Sequence, residues 1–143
     1  MVTVEGQHRP VPLKTLGGGA VRAFQIAMGI EAAAAPDEDE DPVSSSGAAR
    51  SVPLLIDEIE NGLHHTVLES IWEFIFAAAA QSGVQVFATT HSQECLEAFV
   101  GVAAKSELEG RVIRLDTRSG SARAVEMDEK NQAAVVKYGI EVR

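Results

Sequence analysis

The sequence predicts an α/β fold with parallel strands flanked by helices, and three observations predict it. Short apolar runs of strand character alternate with stretches whose apolar residues recur at helical spacing. Their order is strand, helix, strand, helix and then two strands about a turn, which is the succession of a parallel layer followed by a C-terminal β-hairpin. Both apolar runs end in polar residues, and ligands of parallel sheets sit beyond the C-terminal strand ends.

Residues 1–31 hold a short extended start, then Gly17, Gly18 and Gly19, then an apolar stretch to about Ile30. Residues 32–51 (AAAAPDEDEDPVSSSGAARS) are rich in Ala, Pro, Ser and acid. Such a segment buries too little apolar surface to offset its ordering entropy, so it is expected to be a flexible, low-complexity insert. Residues 52–56 form an apolar run ending in acids and are expected to be a buried strand. Over 67–80 the apolar residues Leu68, Ile71, Trp72, Ile75 and Phe76 fall on one helical face, and Ser82 with Gly83 stops the helix. Residues 84–89 (VQVFAT) read as the second strand, and 93–104 as a helix carrying Leu96, Phe99 and Val100 on one face. Residues 111–115 and 123–127 flank a turn at 117–121 that contains Gly120. Asp128 is placed to cap a last helix, with Gly139 just past its end. All 143 residues are expected to form one lobe interrupted only by the insert at 32–51.

Composition narrows the function classes. One cysteine, Cys95, excludes an internal disulfide framework and a multi-cysteine zinc site. The chain has no run of about 18 apolar residues and no basic-then-apolar start, so no membrane contact and a cytoplasmic setting are expected. There are 21 acids against 12 bases, and the acidic run at 37–41 accounts for five of the acids. A net charge of −9 does not suit phosphate binding across the surface. Arg111, Arg114, Arg118 and Arg123 form a local basic stripe that reads as a solvated hairpin face, so nucleic acid is expected only through a partner.

Three segments carry chemistry. PLLIDEIE is an apolar strand that projects Asp57 and Glu58 into the ligand crevice. There one carboxylate suits a metal-bound water and the other an attacking water. The second strand ends Thr89-Thr90-His91-Ser92, which puts a histidine near any phosphate that develops charge. Gly17, Gly18 and Gly19 lead into an apolar helix, and a glycine-led helix start admits a phosphate to its backbone N–H groups.

With those residues in place, LLIDEIENGLHHTVLESIWEFI followed by VQVFATTHSQECLEAF resembles the C-terminal half of an ABC-type ATPase head. The nearest resemblance is to the AAA-labelled overcoming-lysogenisation-defect and SMC-like proteins. It implies a partial P-loop NTPase core, with Asp57 as the Walker B aspartate holding Mg and Glu58 as the catalytic glutamate. It implies further that Asn61 lies in the D-loop, that His91 is the switch histidine, and that Gly17, Gly18 and Gly19 lie in the signature segment facing a partner's γ-phosphate. ATP and Mg are the implied cofactors. The sequence departs from the family in two respects: Leu16 stands where the signature segment usually has a serine, which removes a hydroxyl contact to phosphate, and no P-loop is present. Its four lysines, Lys14, Lys105, Lys130 and Lys137, none of them after a glycine, leave no place for a G-x-x-x-x-G-K-[ST] loop. The resemblance therefore implies a P-loop-bearing lobe or second head as partner, dimeric action, and weak or absent ATP binding by this chain alone. The alternative is a non-catalytic interaction module or a truncated ATPase remnant.

Other chemistries fit less well. His64 with His65, or His91 with Cys95, lack a third zinc ligand at matching spacing. Cys95 lies on an apolar helix face, where thiols are inert. A metal-nuclease site of Asp57, Glu58 and Glu60 leaves the second strand end and the glycines unexplained.

Overall fold

The structure, a computed structural model, describes residues 17–35, 52–116 and 122–127. The extended start, the acidic part of the insert, the hairpin turn and the helix expected after Asp128 lie outside the described residues.

Helix α1 spans Gly18–Ala34 and buries Ile26, Ile30 and Ala33, spaced to share one face. It runs three residues into the segment expected to be insert. Alanine is the strongest helix former, and Ala33 packs inward, so the alanines extend the helix rather than the linker. The helix stops at Ala35, which is extended (φ −63°, ψ 135°), because the following proline disfavours helical backbone at the residue before it.

Strands β1 (Leu54–Ile56) and β2 (Val86–Ala88) pair in parallel, with Leu54, Leu55 and Ile56 opposite Val86, Phe87 and Ala88. Both are shorter than their apolar runs. Pro53 precedes β1 and has no N–H for a ladder, and β2 extends only as far as its partner. Between them a 3₁₀ turn (His65–Val67) leads into helix α2 (Leu68–Ser82), which completes a strand–helix–strand unit. Gly83 ends α2 in the left-handed region (φ 69°), its N–H bonded to the Ala79 carbonyl at 2.8 Å. Helix α3 (Gln93–Ala103) starts at Ser92, whose hydroxyl accepts the Cys95 N–H at 3.1 Å.

The core joins these elements. Ile26 and Ile30 of α1, Ile56 of β1, Ile59, and Leu68, Ile71, Trp72 and Ile75 of α2 pack with Cys95 and Val102 of α3. The expected α2 stripe is buried as predicted except that Phe76 is only half-buried. Trp72 fastens α2 to α3 twice, donating its indole N–H to the Cys95 carbonyl at 3.1 Å and meeting Phe99 edge-on at 4.9 Å. Among the described residues the opposite sheet face is open, for Leu55 and its register partner Phe87 are 74% and 49% exposed. Strands β3 (Val112–Asp116) and β4 (Arg123–Met127) form a separate antiparallel hairpin.

Candidate functional site

The site is assembled where β1 and β2 end side by side. Ile56 lies level with Ala88, so one step further the parallel register brings Asp57 beside Thr89. The ladder continues past the strands, with the Thr89 N–H bonded to the Ile56 carbonyl at 2.9 Å and the Ile59 N–H to the Thr89 carbonyl at 3.0 Å. The Thr89 hydroxyl donates to Asp57 Oδ1 at 2.5 Å and accepts the Glu58 N–H at 2.9 Å. One side chain thus fixes both acidic residues.

Glu58 has φ +44°, the one non-glycine residue with positive φ among the described residues. The chain turns sharply there, and the Asn61 N–H closes onto the Glu58 carbonyl at 2.9 Å. Glu60 reaches across to the second strand end, its Oε1 accepting the His91 N–H at 2.9 Å. Burial alone would raise the Glu60 pKa, but the bonds from the His91 and Glu60 N–H groups and the Thr90 hydroxyl, with the His91 charge, hold it below its ordinary value.

The glycine-led start of α1 adjoins this turn. A Cβ on Gly18 or Gly19 would lie 3.7 Å from the Gly62 carbonyl. Gly17, at φ +91°, starts the helix with no side-chain cap among the described residues.

The structure therefore brings Asp57, Glu58 and His91 to one end of the sheet and sets Gly18 and Gly19 against the Asn61–Gly62 turn. Asp57, Glu58, Asn61 and His91 are all exposed. Among the described residues no cluster of three or more His, Cys, Asp or Glu side chains forms a metal cage. One carboxylate at a strand end fits Mg, which keeps most of its ligands as water and phosphate oxygens.

The sequence matches a protein family described as "AAA domain, putative AbiEii toxin, Type IV TA system" over residues 3–97. The chain belongs to this AAA-domain family. No curated protein matches it. Among solved structures it is similar to a chain from work on the structural biochemistry of ATP-driven dimerization and DNA-stimulated activation of SMC ATPases, with a TM-score of 0.53 and 12% identity. The similarity covers 91% of this chain and 66% of the SMC chain. The fold is thus that of an ABC/AAA-like ATPase domain of the P-loop NTPase type.

Three residues beside the ends of β1 and β2 had no catalytic or binding role assigned from sequence. Thr89 was legible only as a hydroxyl ending an apolar strand, Glu60 as one acid among three, and Arg22 as a basic residue after the glycines. Arg22 Nη2 donates to the Asp57 carbonyl at 2.7 Å and to the Glu58 carbonyl at 3.0 Å. The weaker alternatives are accounted for locally. His64 Nδ1 sits 3.0 Å from the Thr66 hydroxyl and takes the Thr66 N–H at the start of the 3₁₀ turn. Cys95 is fully buried, which pushes its thiol pKa up. On the hairpin, Arg111 pairs with Glu109 (2.8 Å) and Glu126 (2.7 Å), and Arg114 with Asp116 (3.7 Å). Much of the expected basic stripe is therefore neutralised, while Arg118 lies outside the described residues. Among the described residues no helix is long and apolar enough to cross a membrane.

Proposed function

We propose that this AAA-domain chain is the signature and Walker B lobe of an ATPase head, hydrolysing ATP to ADP and phosphate when a P-loop-bearing lobe completes the nucleotide site. The observation that carries the reading is the Thr89 bridge, which aligns Asp57 and Glu58 beside the His91 loop at the C-terminal end of a parallel strand pair. In this reading Asp57 would hold Mg, and Mg would supply charge neutralisation at the phosphates. Glu58 orients the attacking water and accepts its proton, while His91 donates to the γ-phosphate oxygen on which charge develops. Gly17, Gly18 and Gly19 face the nucleotide of a partner head, and Asn61 lies at the same interface. The ATP-driven dimerization of the SMC proteins supports a dimeric arrangement here.

The P-loop comes from outside these 143 residues, from another part of the same polypeptide or from a separate chain. Its lysine and backbone nest supply most phosphate contacts, so this lobe alone binds Mg-ATP weakly or not at all. A second reading, a non-catalytic interaction module, is favoured by the exposed Leu55 and Phe87 face. Glu58→Gln in the assembled head separates the two. The ATPase reading expects turnover to fall at least about 100-fold with ATP still bound. Wild-type turnover in that variant would remove Glu58 from the reaction. An assembly that binds its partner equally well with and without Glu58, yet never hydrolyses ATP, would favour the interaction module.

A further inference from the structure

Arg22 lies on α1, 35 residues before the first of the two carbonyls it binds. Consecutive carbonyls of an extended strand point in opposite directions and do not share a donor. Here the Asp57 and Glu58 carbonyls converge on the single nitrogen Nη2, and the left-handed backbone at Glu58 makes this convergence possible. A glutamate at φ +44° is disfavoured on its own, so its surroundings must hold it there. Thr89 holds the amide side of Glu58, and Arg22 holds the carbonyl side. Arg22 does so with its Nε buried and without a partner among the described residues, so the guanidinium is committed to this turn rather than to its own solvation.

We propose that Arg22 is a positioning residue: its paired bonds to the Asp57 and Glu58 carbonyls hold Glu58 in the left-handed conformation and so tie the direction of the Glu58 carboxylate to the helix that begins at Gly18. The functional half of this inference rests on Glu58 being the hydrolytic carboxylate. The structural half does not.

The test reads Glu58 directly in the full 143-residue chain without nucleotide. In Arg22→Gln, the Glu58 Cα and Cβ chemical shifts should leave left-handed values. Hydrogen exchange at Asn61, whose N–H bonds to the Glu58 carbonyl, should accelerate at least about tenfold, while exchange at Ile75 in α2 stays unchanged. Arg22→Lys, which keeps the charge but loses the planar fork, should give an intermediate shift. Unchanged Glu58 shifts and Asn61 exchange in Arg22→Gln would overturn the proposal. If that variant does not fold, Arg22→Lys decides by the same two readouts, with retention of wild-type values overturning it. In the assembled head, Arg22→Gln should lower kcat with KM preserved. A head that shows the nuclear magnetic resonance effect but hydrolyses no ATP even as wild type would defeat the ATPase reading and leave the positioning role standing.

Discussion

Thr89 is where two strand ends become one site, because its hydroxyl is donor to Asp57 and acceptor from Glu58 at once. Valine keeps the branched shape that suits a strand end and removes both bonds. Thr89→Val is therefore expected to cost about 1 kcal/mol of stability, the usual net worth of an accessible hydrogen bond, measured by urea unfolding. The same variant should free the Asp57 carboxylate to turn away from the crevice. Glu60 plays a different part, pinning the His91 loop through a backbone N–H. Its folded pKa lies below the ordinary glutamate value, so the unfolded chain takes up the proton first as pH falls. Its stabilising contribution is present in full above that value and is lost as pH drops through the lower folded pKa. Thermal melts of Glu60→Gln should fall below wild type near neutral pH, and the gap should close in the acid range below 4.5. A gap that widened on acidification would contradict the sign.

At the scale of elements, α2 and α3 are held by shape as much as by area. Gly110 follows α3 where a Cβ would lie 2.8 Å from Phe99 Cζ and 3.0 Å from both Ala103 Cβ and Phe76 Cζ. Ala103 is fixed on its helix, and Phe99 already packs on Trp72, so the neighbours have little room to yield. Gly110→Ala is expected to destabilise the chain by about 1–3 kcal/mol through overpacking, read as a lower urea midpoint at unchanged slope. Helix α1 depends on its neighbours in the same way. Gly29 lets it approach Leu54 of β1, where an added Cβ would sit 3.1 Å from Leu54 Cδ1. That contact sets the depth of α1 against the strand, and with it the reach of Arg22 to the Asp57–Glu58 turn.

At the scale of the molecule, the main asymmetry among the described residues is a two-stranded parallel sheet covered by helices on one face and exposed on the other. Leu55 and Phe87 are register partners on the exposed face, while Leu54, Ile56 and Val86 serve the core side. In the ATPase reading this exposed face would be covered by the rest of the head, and in the interaction-module reading by another partner. Leu55→Ser combined with Phe87→Ser removes little buried area from this lobe, so its melting temperature should move by only a few degrees. Association with a P-loop-bearing lobe should weaken at least about tenfold, since each apolar side chain covered at the contact stabilises it by roughly 1–2 kcal/mol. Sedimentation of the two lobes together checks it. Undiminished association would place the contact elsewhere.

The sequence alone determined the kind and order of the elements, because helical and strand periodicity are local properties of a few neighbouring residues. It also placed Asp57, Glu58 and His91 just past the two apolar runs, and the parallel pairing brings those two strand ends together. Tertiary structure decided what local pattern does not encode. Strand lengths were cut to Leu54–Ile56 and Val86–Ala88 by pairing, although the apolar runs are longer. Helix α1 reached Ala34 because inward packing of Ala33 favoured helix over linker. The left-handed turn at Glu58, the double duty of Thr89 and the grip of Arg22 join residues more than 30 positions apart. Such contacts depend on the parallel register and on the docking of α1, which follow from burying the shared apolar core.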